Sequence, residues 1–155
     1  MSPTLFLPGL AAVVLGLAAC GSSSISSSHS SGAKPRTGAR GHIYHVTLSG
    51  RAEHPPGAPN GTGAAVIALH SHLTVCWRFS HLHGFTAATF AHIHRGAASA
   101  SGPILVPLST AARLHHRGCV HTTAATIKAI EKDPGGYYVN IHSRKYAGGA
   151  VRGQL

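Results

Sequence analysis

Period-two alternation in the closing stretch Tyr137-Tyr138-Val139-Asn140-Ile141-His142 constrains this chain more than any other feature. Aromatic and β-branched residues favour strands, and successive strand side chains point to opposite faces. Tyr137, Val139 and Ile141 then share one face, read as core, while Tyr138, Asn140 and His142 line the other. Gly148-Gly149 marks a turn, since glycine takes positive φ at little cost, and Ala150–Leu155 is long enough for one more short strand. Phe90-Ala91-His92-Ile93-His94 follows the same alternation. Phe90, His92 and His94 share one face, Ala91 and Ile93 the other. Imidazoles at i and i+2 of a strand point the same way, about 7 Å apart. With a third ligand from elsewhere, such a pair is a base for a metal site.

The rest of the chain reads as further short strands. Ile43–Ser49 alternates, with Tyr44, Val46 and Leu48 on one face. Glu53-His54-Pro55-Pro56-Gly57 and Pro59-Asn60-Gly61 make a loop of turn residues. Gly63–Leu69 is a small-residue strand, joined through His70-Ser71-His72 to Leu73–Phe79, whose Leu73, Val75, Trp77 and Phe79 should fill the core centre. Ser80–Ala88, with His81 and His83, reads as a loop. Pro103–Leu108 and Gly118–His121 read as strands. Thr122–Lys132 is the one helix candidate: Ala124, Ile127 and Ile130 lie on one face, Thr122 or Thr123 can cap it, and Asp133-Pro134-Gly135 stops it.

The front end is set apart from this pattern. Leu5–Ala19 is apolar and shorter than the roughly 20 residues a membrane span needs. Leu17-Ala18-Ala19-Cys20-Gly21 resembles a bacterial lipobox, with cleavage before Cys20 and a lipid on its sulfur. An ordinary secretory signal cut near Ala19 is the other reading; Met1–Thr4 carries no Lys or Arg. Residues 1–20 are thus expected to be a signal segment. Residues 21–41, rich in Ser, Gly and Ala, are expected to be a flexible tether, and 42–155 the single folded domain. With Cys20 lipidated, Cys76 and Cys119 remain as an even pair in an exported chain, read as a disulfide or else as two buried thiols.

Ala-His-Ile-His-Arg-Gly (91–96), Gly102-Pro103 before an apolar strand, Pro-x-x-Tyr-Tyr-Val-Asn-Ile-His (134–142) and Gly-Gly-Ala-Val-Arg-Gly-Gln-Leu (148–155) together resemble the CHRD domain. That module is named after chordin and also occurs in bacterial exported proteins. The resemblance runs from about Ile43 to Leu155. It departs from the family pattern at the turn Tyr146-Ala147-Gly148-Gly149, where a proline is usual. It implies an all-β, immunoglobulin-like antiparallel sandwich or barrel, here with one short helix, and no established activity.

His92, His94 and His142 are the candidate metal ligands, able to converge on one Cu or Zn ion with a position left open. Tyr138 and Asn140 share the His142 face and could steady the ligands from behind; Arg152 could guide an anion toward them. The arrangement has a loose analogy to the copper/zinc superoxide dismutase sandwich, but three acids in the whole chain supply no second metal cluster. The competing reading is structural: the histidines bond one another, Asn140 and backbone groups, and pin the sheet.

Lys and Arg total 13 against 3 acids, a formal charge of +10. That balance suits anionic envelope lipids or glycans. Nucleic acid is not expected, because the cations are scattered and form no aromatic-interleaved stripe. No nucleophile elbow, carboxylate pair or phosphate loop is present. The expectation is a non-enzymatic, membrane-tethered structural or binding module outside the cell membrane, or alternatively a mononuclear Cu/Zn protein.

Overall fold

The computed structural model describes residues 41–155. The expected signal segment, the lipidated Cys20 and all of the expected tether except Gly41 lie outside the described residues. Eight strands are formed: β1 (Ile43–Ser49), β2 (Thr62–His70), β3 (Thr74–His83), β4 (Ala88–Arg95), β5 (Ile104–Ser109), β6 (Arg117–His121), β7 (Tyr137–Ser143) and β8 (Val151–Gln154). One helix, α1 (Ala124–Lys132), precedes β7. The strands make one antiparallel sheet in the order β5-β4-β7-β8-β1-β2-β3-β6. It curls until its edge strands β5 and β6 approach each other, so the expected all-β sandwich or barrel is a nearly closed barrel.

Alternation builds the core. Leu48, Ile67, Leu69, Val75, Ala91, Ile93, Val139, Ile141 and Val151 are fully buried inside. Each of these Val, Leu and Ile side chains stabilises the fold by about 1.5–3 kcal/mol. A one-residue slip of β7 would exchange Val139 and Ile141 for Asn140 and His142, so burial fixes its register. That register sets His92 opposite Asn140 and His94 opposite Tyr138.

The structure corrects two local expectations. Ser80–His83 is not loop: β3 runs on to His83, which pairs with Thr62 across a bulge. Leu73 leaves the core; it sits in the β2–β3 turn at φ 61° and is 40% exposed. On the outward face of β7, whose burial the alternation leaves undecided, Tyr138 and Asn140 are both buried. Helix α1 agrees with its signals. Thr123 caps it by accepting the Thr126 N–H at 3.1 Å, and Ile127 and Ile130 are buried, although Ala124 is exposed.

Cys76 and Cys119 stand opposite each other in the β3–β6 ladder, Cα atoms 4.0 Å apart, and form the expected disulfide. It fastens the edge strand β6 to the body of the sheet.

Candidate metal centre

Three imidazoles meet on the outward face of β4 and β7. His92 and His94 come from alternate positions of β4, so they project together. His142 lies two residues beyond Asn140, the partner of His92, which makes it the diagonal neighbour of His92 on the same face. Ring centroids are 5.5 Å apart for His92–His94, 5.0 Å for His92–His142 and 6.4 Å for His94–His142. One ring nitrogen from each lies within 4.8 Å of the other two.

Backbone carbonyls set the tautomers. His94 Nδ1 is 2.9 Å from Gly102 O, and His142 Nδ1 is 2.8 Å from Ala147 O. A carbonyl oxygen only accepts, so each Nδ1 carries the proton and each Nε2 presents a lone pair. His142 Nε2 is 3.1 Å from His92 Nδ1. His94 Nε2 is buried and has no hydrogen-bond partner. Burial first, then the nearby His142 and His94 rings, push the His92 pKa down to about 4. Burial also lowers the His142 pKa, with the Ala147 carbonyl acting in the opposite direction. The lowered rings are neutral at pH 7, the form in which a histidine binds metal.

A stacked column supports this cluster. The His94 ring lies flat on Tyr138, centroids 4.8 Å apart and planes 4° from parallel. Arg152 Cζ sits 3.5 Å from the Tyr138 ring centroid. Gly102 closes the arrangement: its N–H donates to the Tyr138 hydroxyl at 3.3 Å, while its carbonyl holds His94.

Arg152 does not guide anions as expected. It is 1% exposed, and its guanidinium donates to the carbonyls of Ala97, Ala98 and Ala100 at 3.0, 3.3 and 3.0 Å. It therefore ties the 96–103 loop over the outward face. Gln154 adds a bond to Gly96 O at 2.7 Å, and Ser101 donates to His54 O at 2.5 Å. This covering loop lies against Tyr138, while Glu53 meets the Asn140 side chain.

Tyr138 thus supports His94 by stacking and through Gly102. Asn140 lies beneath His92, and its Oδ1 is buried without a partner. Glu53 belongs with this group and was missed in the sequence, where it reads as a turn residue. It is 4% exposed, and burial raises its pKa to about 7 against the pull of Arg152 and a hydrogen bond from Asn140. Its only signal was rarity, as one of three acids in the chain. The carbonyls of Gly102 and Ala147 carry no sequence signal.

Two nitrogens bound to one Cu or Zn ion at about 2.0–2.2 Å in tetrahedral geometry sit about 3.4 Å apart. The 3.1 Å His92–His142 pair already has nearly that spacing. The three ligand nitrogens lie within 4.8 Å of one another, so the cluster would have to tighten by up to about 1.4 Å to reach that spacing. Three neutral imidazole nitrogens are a donor set that suits Cu or Zn.

A family model described as the CHRD domain matches residues 44–155. No curated protein and no solved structure matches the chain.

Proposed function

The chain belongs to the CHRD-domain family, and from that premise we propose an extracytoplasmic binding module that holds one Cu or Zn ion through His92, His94 and His142. One observation carries the reading: a buried His94 Nε2 with no hydrogen-bond partner, on a ring held from behind by the Gly102 carbonyl and centred 5.5 and 6.4 Å from the His92 and His142 rings. An unmatched buried acceptor costs about 1–3 kcal/mol, which a metal bond would offset. Holding Nδ1–H on a carbonyl while Nε2 faces inward is also how metal-binding histidines are fixed. The proposal includes no enzymatic step. The lipobox-like run around Cys20 supports attachment to the outer face of a bacterial membrane.

Metal content and affinity of the full-length chain, beside His94→Ala and His92→Ala, test this. One equivalent of Cu or Zn, lost in both variants while circular dichroism is unchanged, is the expected result. No bound metal in the native chain, with both variants destabilised, would show that the three rings only pin β4 to β7.

A further inference from the structure

The second site lies at one end of the barrel, away from the histidines' covering loop. Three connections meet there: β3–β4 (residues 84–87), β5–β6 (110–116) and β7–β8 (144–150). Antiparallel pairing of β4 with both β5 and β7 brings them to the same end. They form two neighbouring clefts. One, of about 360 Å³, is lined by Gly84, Phe85, Thr86, Lys145 and Tyr146. The other, of about 280 Å³, is lined by Ala87, Ala88, Ala112, Arg113 and Arg144. Between them, the Arg144 N–H donates to the Ala87 carbonyl at 3.2 Å.

The acids are kept away from the clefts. Arg113, Arg144 and Lys145 are exposed at the cleft end. Glu131 and Asp133 lie at the other end of β7, beyond its seven residues and thus about 20 Å away. No acid in the described residues faces the clefts, because Glu53 is buried. Phe85 and Tyr146 are half-buried, each fixed in place with part of its surface left exposed. Lys145 Nζ is 5.4 Å from the Tyr146 ring centroid, so an anion drawn to the ammonium is held beside an aromatic face. Ala87, between the clefts, holds φ 52°, a conformation that costs a non-glycine residue about 1–3 kcal/mol and concentrates at binding sites.

We infer that this end binds an acidic glycan: sugar rings pack on Tyr146 and Phe85 while carboxylates pair with Lys145, Arg144 and Arg113. Guanidinium groups suit planar carboxylates. A ring fixed by partial burial offers contact area at low entropic cost. A lipid surface fits less well. Among the described residues the exposed large apolar side chains are Ile43, Leu73, Phe90 and Ile104, and none lies in these three connections. The inference does not rest on the metal reading, although Ala147 of the same β7–β8 connection holds His142.

The test measures binding of a polyuronate, alginate oligosaccharide, to the full-length chain in EDTA at pH 7.5. Dextran serves as the neutral sugar and polyphosphate as the sugar-free polyanion. Salt-sensitive alginate binding is expected, with no binding of dextran. Arg113→Ala/Arg144→Ala/Lys145→Ala should weaken it about tenfold or more by removing adjacent charges. Tyr146→Ala should weaken alginate about fivefold and leave polyphosphate unchanged, on the scale of a lost aromatic contact; Tyr146→Phe should retain native affinity. Tyr146 supports its turn through backbone groups that survive these substitutions. The inference is overturned if alginate does not bind, if Tyr146→Ala has no effect, or if Lys128→Ala/Lys132→Ala at the far end weakens binding as much as the triple variant. It also falls if phosphatidylglycerol vesicles, but not alginate, bind in a manner that the triple variant abolishes.

Discussion

At the residue scale, Glu53 and His92 answer protons in opposite senses. Metal-free folded His92 has a pKa of about 4, against about 6.5 in an unfolded chain. As pH falls, the unfolded chain takes up this proton first. Stability from the neutral ring is therefore complete above about pH 6.5 and is lost between there and about pH 4. The effect is about 1–2 kcal/mol after allowing for solvent around the half-exposed ring. Glu53 runs the other way. Its folded pKa is about 7 against 4.5 for an ordinary glutamate, so its share is complete below 4.5 and lost as pH rises through about 7. The two slopes oppose each other in the window they share. Urea denaturation of metal-free protein from pH 4.5 to 6.5 should show a shallow dependence. Glu53→Gln, which no longer titrates, should show a steeper loss of stability toward acid. Identical slopes in the two proteins would mean that Glu53 is not held neutral. His92 and His94 were legible as a pair because strand period places them on one face, and His142 meets them through the pairing of β4 with β7. Glu53 was not legible, since a loop residue is buried by what folds over it.

At the element scale, the disulfide joins the least supported strand to the sheet. β6 has five residues and one hydrogen-bonded neighbour, β3. Closing a separation of 43 residues is worth about 4 kcal/mol in the chain-entropy model. Cys76→Ala/Cys119→Ala should lower unfolding free energy by roughly that amount. Hydrogen exchange should show β6 amides losing protection before those of β4 and β7; uniform loss across the sheet would contradict a local clamp. Strand existence was readable wherever apolar residues alternate, as in β1, β4 and β7. The far end of β3 was not. Ser80–His83 is polar and His-rich, and it remains a strand because β2 supplies its hydrogen-bond partners. Pairing over a sequence distance overrides weak local preference.

At the scale of the whole molecule, Arg152 joins parts of the chain more than fifty residues apart. Its charge lies over Tyr138, and its donors hold the loop that covers the β7–β8 face. Arg152→Met should cost about 1.5–3 kcal/mol, because it removes the charged donor that holds the Ala97, Ala98 and Ala100 carbonyls and the cation over Tyr138. The freed loop should also be cut faster at residues 97–101 in limited proteolysis; unchanged cleavage would show that Gln154 and Ser101 suffice to hold it. The sequence by itself determined the all-β class, the helix with its cap and stop, the cysteine pair, and the common face of His92 and His94. Those are properties of period, turn chemistry and residue count. Tertiary structure alone decided that the sheet curls toward a barrel, that Arg152 turns inward, that two carbonyls aim His94 and His142, and that three cations gather at one end. Each of these depends on which distant segments become neighbours, and that is fixed by strand order and burial rather than by local pattern.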